Sequence, residues 1–102
     1  MIEQDEEIEK VKIRVPKWFK NKNQINSRIL LSFLELYEED SNVMIENVEH
    51  RCGVKTFKTN FQQMHNFGKR NHAKVFEIEE NNVYLWEPVK EFILNEYRSS
   101  KL

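Results

Sequence analysis

The sequence predicts a mainly helical α+β domain with elements in the order strand, helix, helix, helix, hairpin, helix. Three observations lead there. Apolar residues recur at spacings of three and four over Ile25 to Tyr37 and again over Val54 to Phe67, the period of amphipathic helices. Apolar and polar residues alternate on either side of Glu79-Glu80-Asn81-Asn82, the period of a two-stranded hairpin. Two prolines and two glycines, Pro16, Gly53, Gly68 and Pro88, fall at the joints between these patterns.

Residues 1–9 carry five acids and no base and are expected to form a flexible acidic tail, leaving a single domain over residues 10–102. Val11, Ile13 and Val15 alternate with Lys10, Lys12 and Arg14, the pattern of a half-buried strand that Pro16 ends. Lys17 to Gln24, KWFKNKNQ, sets two adjacent aromatics among bases. Trp18 and Phe19 either anchor this segment on the core, as large aromatics mostly do, or offer flat faces on which the bases of a single strand stack.

From Asn26 the pattern is helical: Ile25, Ile29, Phe33, Leu36 and Tyr37 form a stripe that Leu30, Leu31 and Leu34 widen, and Glu38, Glu39 and Asp40 close it. Ser41 or Asn42 is placed to cap a second helix, Val43 to Cys52, whose Met44, Ile45, Val48 and Cys52 face inward. Gly53 follows where a helix C-terminus calls for positive φ, which glycine adopts without steric cost. The third helix, Thr56 to Phe67, has an apolar stripe of Val54, Phe57, Phe61, Met64 and Phe67. Gly68 stops it, and the basic loop GKRNHAK follows. Val75 to Glu79 and Val83 to Trp86 then read as strands around a four-residue EENN turn, with Val75, Phe76, Val83, Leu85 and Trp86 on the packed side and the asparagines suited to positive φ. Pro88 fits the first position of a last helix bearing Val89, Phe92, Ile93 and Tyr97.

With 102 residues and 39% apolar side chains, the chain is long enough for one core and too hydrophobic to be disordered. No run of about 18 apolar residues and no leader with a cleavage site is visible, so a soluble, cytoplasmic protein with no membrane partner is expected. The single cysteine, Cys52, forms no internal disulfide and reads as a small buried hydrophobe. His50, His65 and His72 do not combine with it into the paired spacings of structural zinc sites, so neither metal nor cofactor is expected. No nucleophile, base and orienting group stand out, and the chain reads as a non-enzyme.

Charge is more informative. The net charge is −1, but the charges come in blocks of one sign. Lys10 to Leu34 holds seven Lys/Arg and no acid, and Glu35 to Glu49 holds six acids and no base. His50 to Phe76 holds six Lys/Arg, three histidines and no acid, while Glu77 to Leu102 holds six acids against three bases. Such blocks either neutralise one another in space or give the folded protein a basic face that attracts phosphate.

The element order, the Cys52-Gly53-Val54 turn between two helices and a hairpin directly after the third helix together resemble the winged helix-turn-helix superfamily, over about residues 10–98. The resemblance implies a recognition helix, here Thr56 to Phe67, lying in a DNA major groove, and a wing, here Val75 to Trp86, reaching the flanking backbone or minor groove. The outward arc of that helix suits the role. Lys55, Thr56, Thr59, Gln62, Gln63 and Asn66 are residue types that read base edges, and Lys58, His65, Lys69, Arg70 and Lys74 would hold phosphates. An acid on this face would be repelled by a duplex, and none is present. The wing tip, Glu79-Glu80-Asn81-Asn82, is acidic, so contact is expected at the basic base of the wing, Arg70 to Lys74.

These features lead us to expect a sequence-specific duplex-DNA binder, a small regulator of transcription or an accessory factor of a mobile element or of replication. Because one helix in one groove offers limited affinity, a homodimer paired through Phe92, Ile93 and Tyr97 of the last helix is expected. Two alternatives stand beside it: a single-strand binder using Trp18 and Phe19, and a protein-interaction module whose acidic blocks meet a basic partner.

Overall fold

A computed structural model describes residues 2–68 and 70–101. Among these residues the chain forms five helices and a three-stranded antiparallel sheet: α1 (Ile2–Lys20), α2 (Ile25–Glu39), β1 (Val43–Met44), α3 (Ile45–Cys52), α4 (Phe57–His65), β2 (Phe76–Glu79), β3 (Asn82–Leu85) and α5 (Glu87–Ser100). It is α+β and mainly helical.

The largest departure from expectation is at the N-terminus. Among the described residues neither a tail nor a strand forms there; residues 2–9 and 10–15 both belong to α1. The alternation at Val11, Ile13 and Val15 is short, and a longer helical stripe overrides it. Ile8, Val11, Val15 and Trp18 stand three or four apart, with Phe19 beside them; Val11, Val15, Trp18 and Phe19 are buried, while Ile13 is 59% exposed. The reversal from acids before Lys10 to bases after it also suits one helix, with negative charge near its N-terminus and Lys17 and Lys20 in its last turn. Pro16 lies inside this helix rather than ending a strand.

α2 forms as its broad stripe predicts, burying Ile29, Leu30, Phe33 and Leu34. The following helix begins two residues later than expected because Val43 and Met44 pair with Val83 and Asn82 as the edge strand β1. Two residues are too few to show a period. Gly53 adopts φ +64, as its position required, and Arg28 Nη2 donates to the Cys52 carbonyl at 2.8 Å, tying the end of α3 back to α2.

α4 is shorter than its apolar stripe. It ends at His65 because the carbonyls of its last turn are taken by other partners: the Val75 amide donates to Met64 O at 2.8 Å, and Lys74 Nζ to His65 O at 2.6 Å. Asn66 is therefore extended and Phe67, expected in the core, is 48% exposed.

β2 and β3 pair in the register Phe76↔Leu85 through Glu79↔Asn82, so the connection is the two residues Glu80-Asn81 rather than four. Glu80, not an asparagine, takes the positive φ. All five side chains expected on the packed side of the hairpin are buried. Pro88 enters the first turn of α5, where its missing N–H leaves no bond unmade.

The core is aromatic at its centre. Phe76 lies 5.2 Å, ring to ring, from both Phe33 and Phe61, and Phe61 stacks on Phe57, so α2, the hairpin and α4 meet on one ring. α5 packs on α1, with Phe19 and Tyr97 in contact at 6.1 Å.

Candidate nucleic-acid interface

α4 is held by its inner side and free on its outer one. Phe57, Phe61 and Met64 are buried, and one turn of helix brings Lys58, Thr59 and Gln62 to the opposite, exposed side. Lys55 and Thr56, in the turn before α4, and Asn66, just after it, are exposed as well. Gln63 is half-buried and stands at the margin of this face. Among the described residues the face carries no carboxylate, and Lys55 and Lys58 form no ion pair.

The expected phosphate contacts divide. Lys58 and Arg70 are exposed. Lys69 lies outside the described residues. Lys74 is a correction: it is 5% exposed, donates to His65 O, pairs with Glu77 at 2.9 Å and lies over the rings of Phe67 and Trp86 at 5.3 and 5.5 Å. Its charge stabilises the C-terminus of α4 and is not offered to a ligand. His65 is half-buried against Phe61; burial, and then the neighbouring Lys74, holds it below the ordinary histidine pKa, so it is mainly neutral at pH 7 and a poor cation. Burial, followed by Arg14, has the same effect on His72.

Trp18 and Phe19 anchor α1 in the core, at 4% and 7% exposure, and present no face for a base to stack on. Ile93 and Tyr97 are likewise spent inside the chain; of the three residues expected to pair two copies, only Phe92 remains half-buried.

Sequence reasoning missed the framework behind α4. Glu7 is buried; its Oε2 accepts from the Lys74 amide at 2.9 Å and from Asn71 Nδ2 at 3.2 Å, and Lys10 lies 3.6 Å from its Oε1. Lys10 Nζ also donates to Gly68 O at 2.7 Å and to Asn71 Oδ1 at 2.6 Å, while Arg14 Nη1 donates to the carbonyls of Asn71 and His72 at 2.9 and 2.6 Å. These three side chains recur at three and four along α1, one face of a helix, and that spacing was the available signal. They fix the loop that leaves α4.

The acidic block of α2 is partly neutralised in space. Glu35 and Glu39 each meet Arg51 at 3.1 Å, and Glu38 meets Lys101 at 2.7 Å. The acids thus remove Arg51 from the basic surface but leave Lys55, Lys58 and Arg70 out of their ion pairs.

Compared with known protein families, with curated proteins and with solved structures, the chain matches none. No helix among the described residues is long and apolar enough to cross a membrane, and no group of three or more His, Cys, Asp or Glu side chains there could hold a metal ion.

Proposed function

We propose that the protein binds duplex DNA in the manner of a winged helix-turn-helix domain, with α4 entering the major groove and the base of the β2–β3 hairpin alongside. The observation that carries this reading is the outer side of α4: Lys58, Thr59 and Gln62, flanked by Lys55 and Thr56 before the helix and Asn66 after it, form an exposed, acid-free surface, and the other side of the helix is locked into the core by Phe57, Phe61 and Met64. A rigid helix with amides outward suits base readout, since Gln and Asn pair bidentately with adenine and Lys with guanine or phosphate.

Further support comes from the surroundings of α4. α3 and α4 are joined through a left-handed glycine, and the hairpin follows α4 directly. These are the neighbours the resemblance implies for a recognition helix. Lys55, Thr56, Thr59, Gln62 and Asn66 read bases, with Gln63 at the rim; Lys58 and Arg70 hold phosphate. The acidic turn at Glu79 and Glu80 stays clear of the duplex. In this reading the protein is a cytoplasmic regulator or an accessory factor of a mobile element or of replication.

A gel-shift series with duplex and single-stranded probes across salt concentrations tests it. The duplex is expected to be preferred, with affinity falling steeply as salt rises. Preference for the single strand, or no binding at low salt, rejects it.

A further inference from the structure

Thr56 stands in the N-cap position of α4, where a threonine usually turns its oxygen onto the first amides of its own helix, yet it makes no such bond. Its Oγ1 accepts instead from Asn60 Nδ2 at 2.8 Å. The direction of that bond is forced. The same Nδ2 is 3.0 Å from the Thr56 carbonyl oxygen, which can only accept, so the nitrogen of the Asn60 amide faces Thr56 and its oxygen faces away. That oxygen meets His72 Nε2 at 2.8 Å, so Nε2 carries the proton. The backbone of His72 is fixed in turn by Arg14. Donors therefore run one way, from His72 to Asn60 to Thr56. Asn60 and His72 are half-buried and Thr56 is exposed, with its own O–H unspent among the described residues.

We propose that His72 and Asn60 are positioning residues that hold the Thr56 hydroxyl outward as a hydrogen-bond donor to an acceptor atom of bound duplex. The proposal rests on the nucleic-acid reading above. Two sources supply such an acceptor: a phosphate oxygen, or a base edge in the major groove, where guanine offers O6 and N7, thymine O4 and adenine N7. Cytosine offers only its amino donor there, so a base-facing Thr56 cannot donate its O–H to cytosine.

The chain of donors is tested first in the unbound protein. Nitrogen NMR of the His72 ring should show the proton on Nε2, and Asn60→Ala should weaken that preference; a ring protonated on Nδ1 alone overturns the proposal whether or not DNA binds. Binding is then measured for Thr56→Val, Asn60→Ala, the double variant and His72→Gln, with melting temperature followed throughout. Thr56→Val and Asn60→Ala should each weaken binding roughly two- to tenfold, the worth of one hydrogen bond. The double variant should be no worse than Thr56→Val, and His72→Gln, which keeps an N–H donor, should retain most affinity. Loss confined to one base position identifies a base acceptor, and loss shared by all sequences a phosphate. Multiplying losses in the double variant refute the proposal while leaving duplex binding intact. An Nε2 proton in a protein that binds no duplex refutes the nucleic-acid reading, and the proposal with it.

Discussion

The second half of α1 and α4 both sit in basic stretches of sequence, and the fold uses Lys10 and Arg14 in the opposite way to Lys55 and Lys58. On α1, half-buried Lys10 and exposed Arg14 reach across to the loop after α4 and are satisfied by the carbonyls of Gly68, Asn71 and His72 and by the side chain of Asn71. On and before α4, Lys58 and Lys55 are exposed and form no ion pair among the described residues. A run of bases is thus no measure of a binding surface. What separates the two is the supply of acceptors: the loop after α4 has carbonyls to satisfy and lies against α1, whereas the outer side of α4 faces water. α1 braces, and the outer side of α4 is left exposed.

The largest effects should show that both helices are core elements. Trp18→Ala on α1 and Phe61→Ala on α4 each remove a buried ring and should cost about 3–5 kcal/mol, read as loss of stability in denaturant. A near-normal midpoint for Trp18→Ala would mean that residues 10–20 do not pack as α1.

Glu7→Ala comes next. It strips the acceptor from the Lys74 amide and from Asn71, both buried, and should cost about 1–3 kcal/mol. Amide exchange in residues 70–74 should quicken more than in α2. Uniform loss of protection would argue that Glu7 acts on the whole fold and not on the brace.

The charge comparison is sharpened by salt dependence. Arg70→Gln should lower the slope of log affinity against log salt by about one, whereas Lys10→Gln should leave it unchanged, since its ammonium is already satisfied within the chain. Equal slopes for the two variants would erase the distinction between bracing and binding charges.

The smallest effect is that of pH. Both His65 and His72 have pKa values depressed in the folded state, so the unfolded chain takes up protons more readily. Their contribution is fully present above the ordinary value of about 6.5 and is lost as pH falls through it towards the folded values. Stability should therefore decline modestly below pH about 6.5, and His72→Gln should flatten that decline.

Much of the outer side of α4 was legible in the sequence because it rests on long periodic patterns. The α4 stripe and the hairpin alternation each span enough residues to fix a phase, and Thr59 and Gln62 fell on the exposed side accordingly, whereas Asn66 is exposed only because the helix has already ended. The brace was not legible for equally physical reasons. Val11, Ile13 and Val15 fit a strand, and only the wider set from Ile8 to Trp18 separates that from a helix. Lys74 read as a clamp because charge alone does not reveal burial, although its place in the run Ala73-Lys74-Val75-Phe76 hinted that it points into the protein. β1 is set by pairing with a distant strand, which leaves no local mark.

The central claim is that the outer side of α4 reads duplex sequence, and selection from random duplexes with the unmodified protein and with Gln62→Ala and Asn66→Ala tests it most directly. The unmodified protein should yield one preferred motif. Each variant should fold within about 0.5 kcal/mol of it and lose about 1–3 kcal/mol of discrimination at one or two positions, with binding to random duplex little changed. No preferred motif for the unmodified protein, or variants that select the same motif with undiminished preference, would contradict the account.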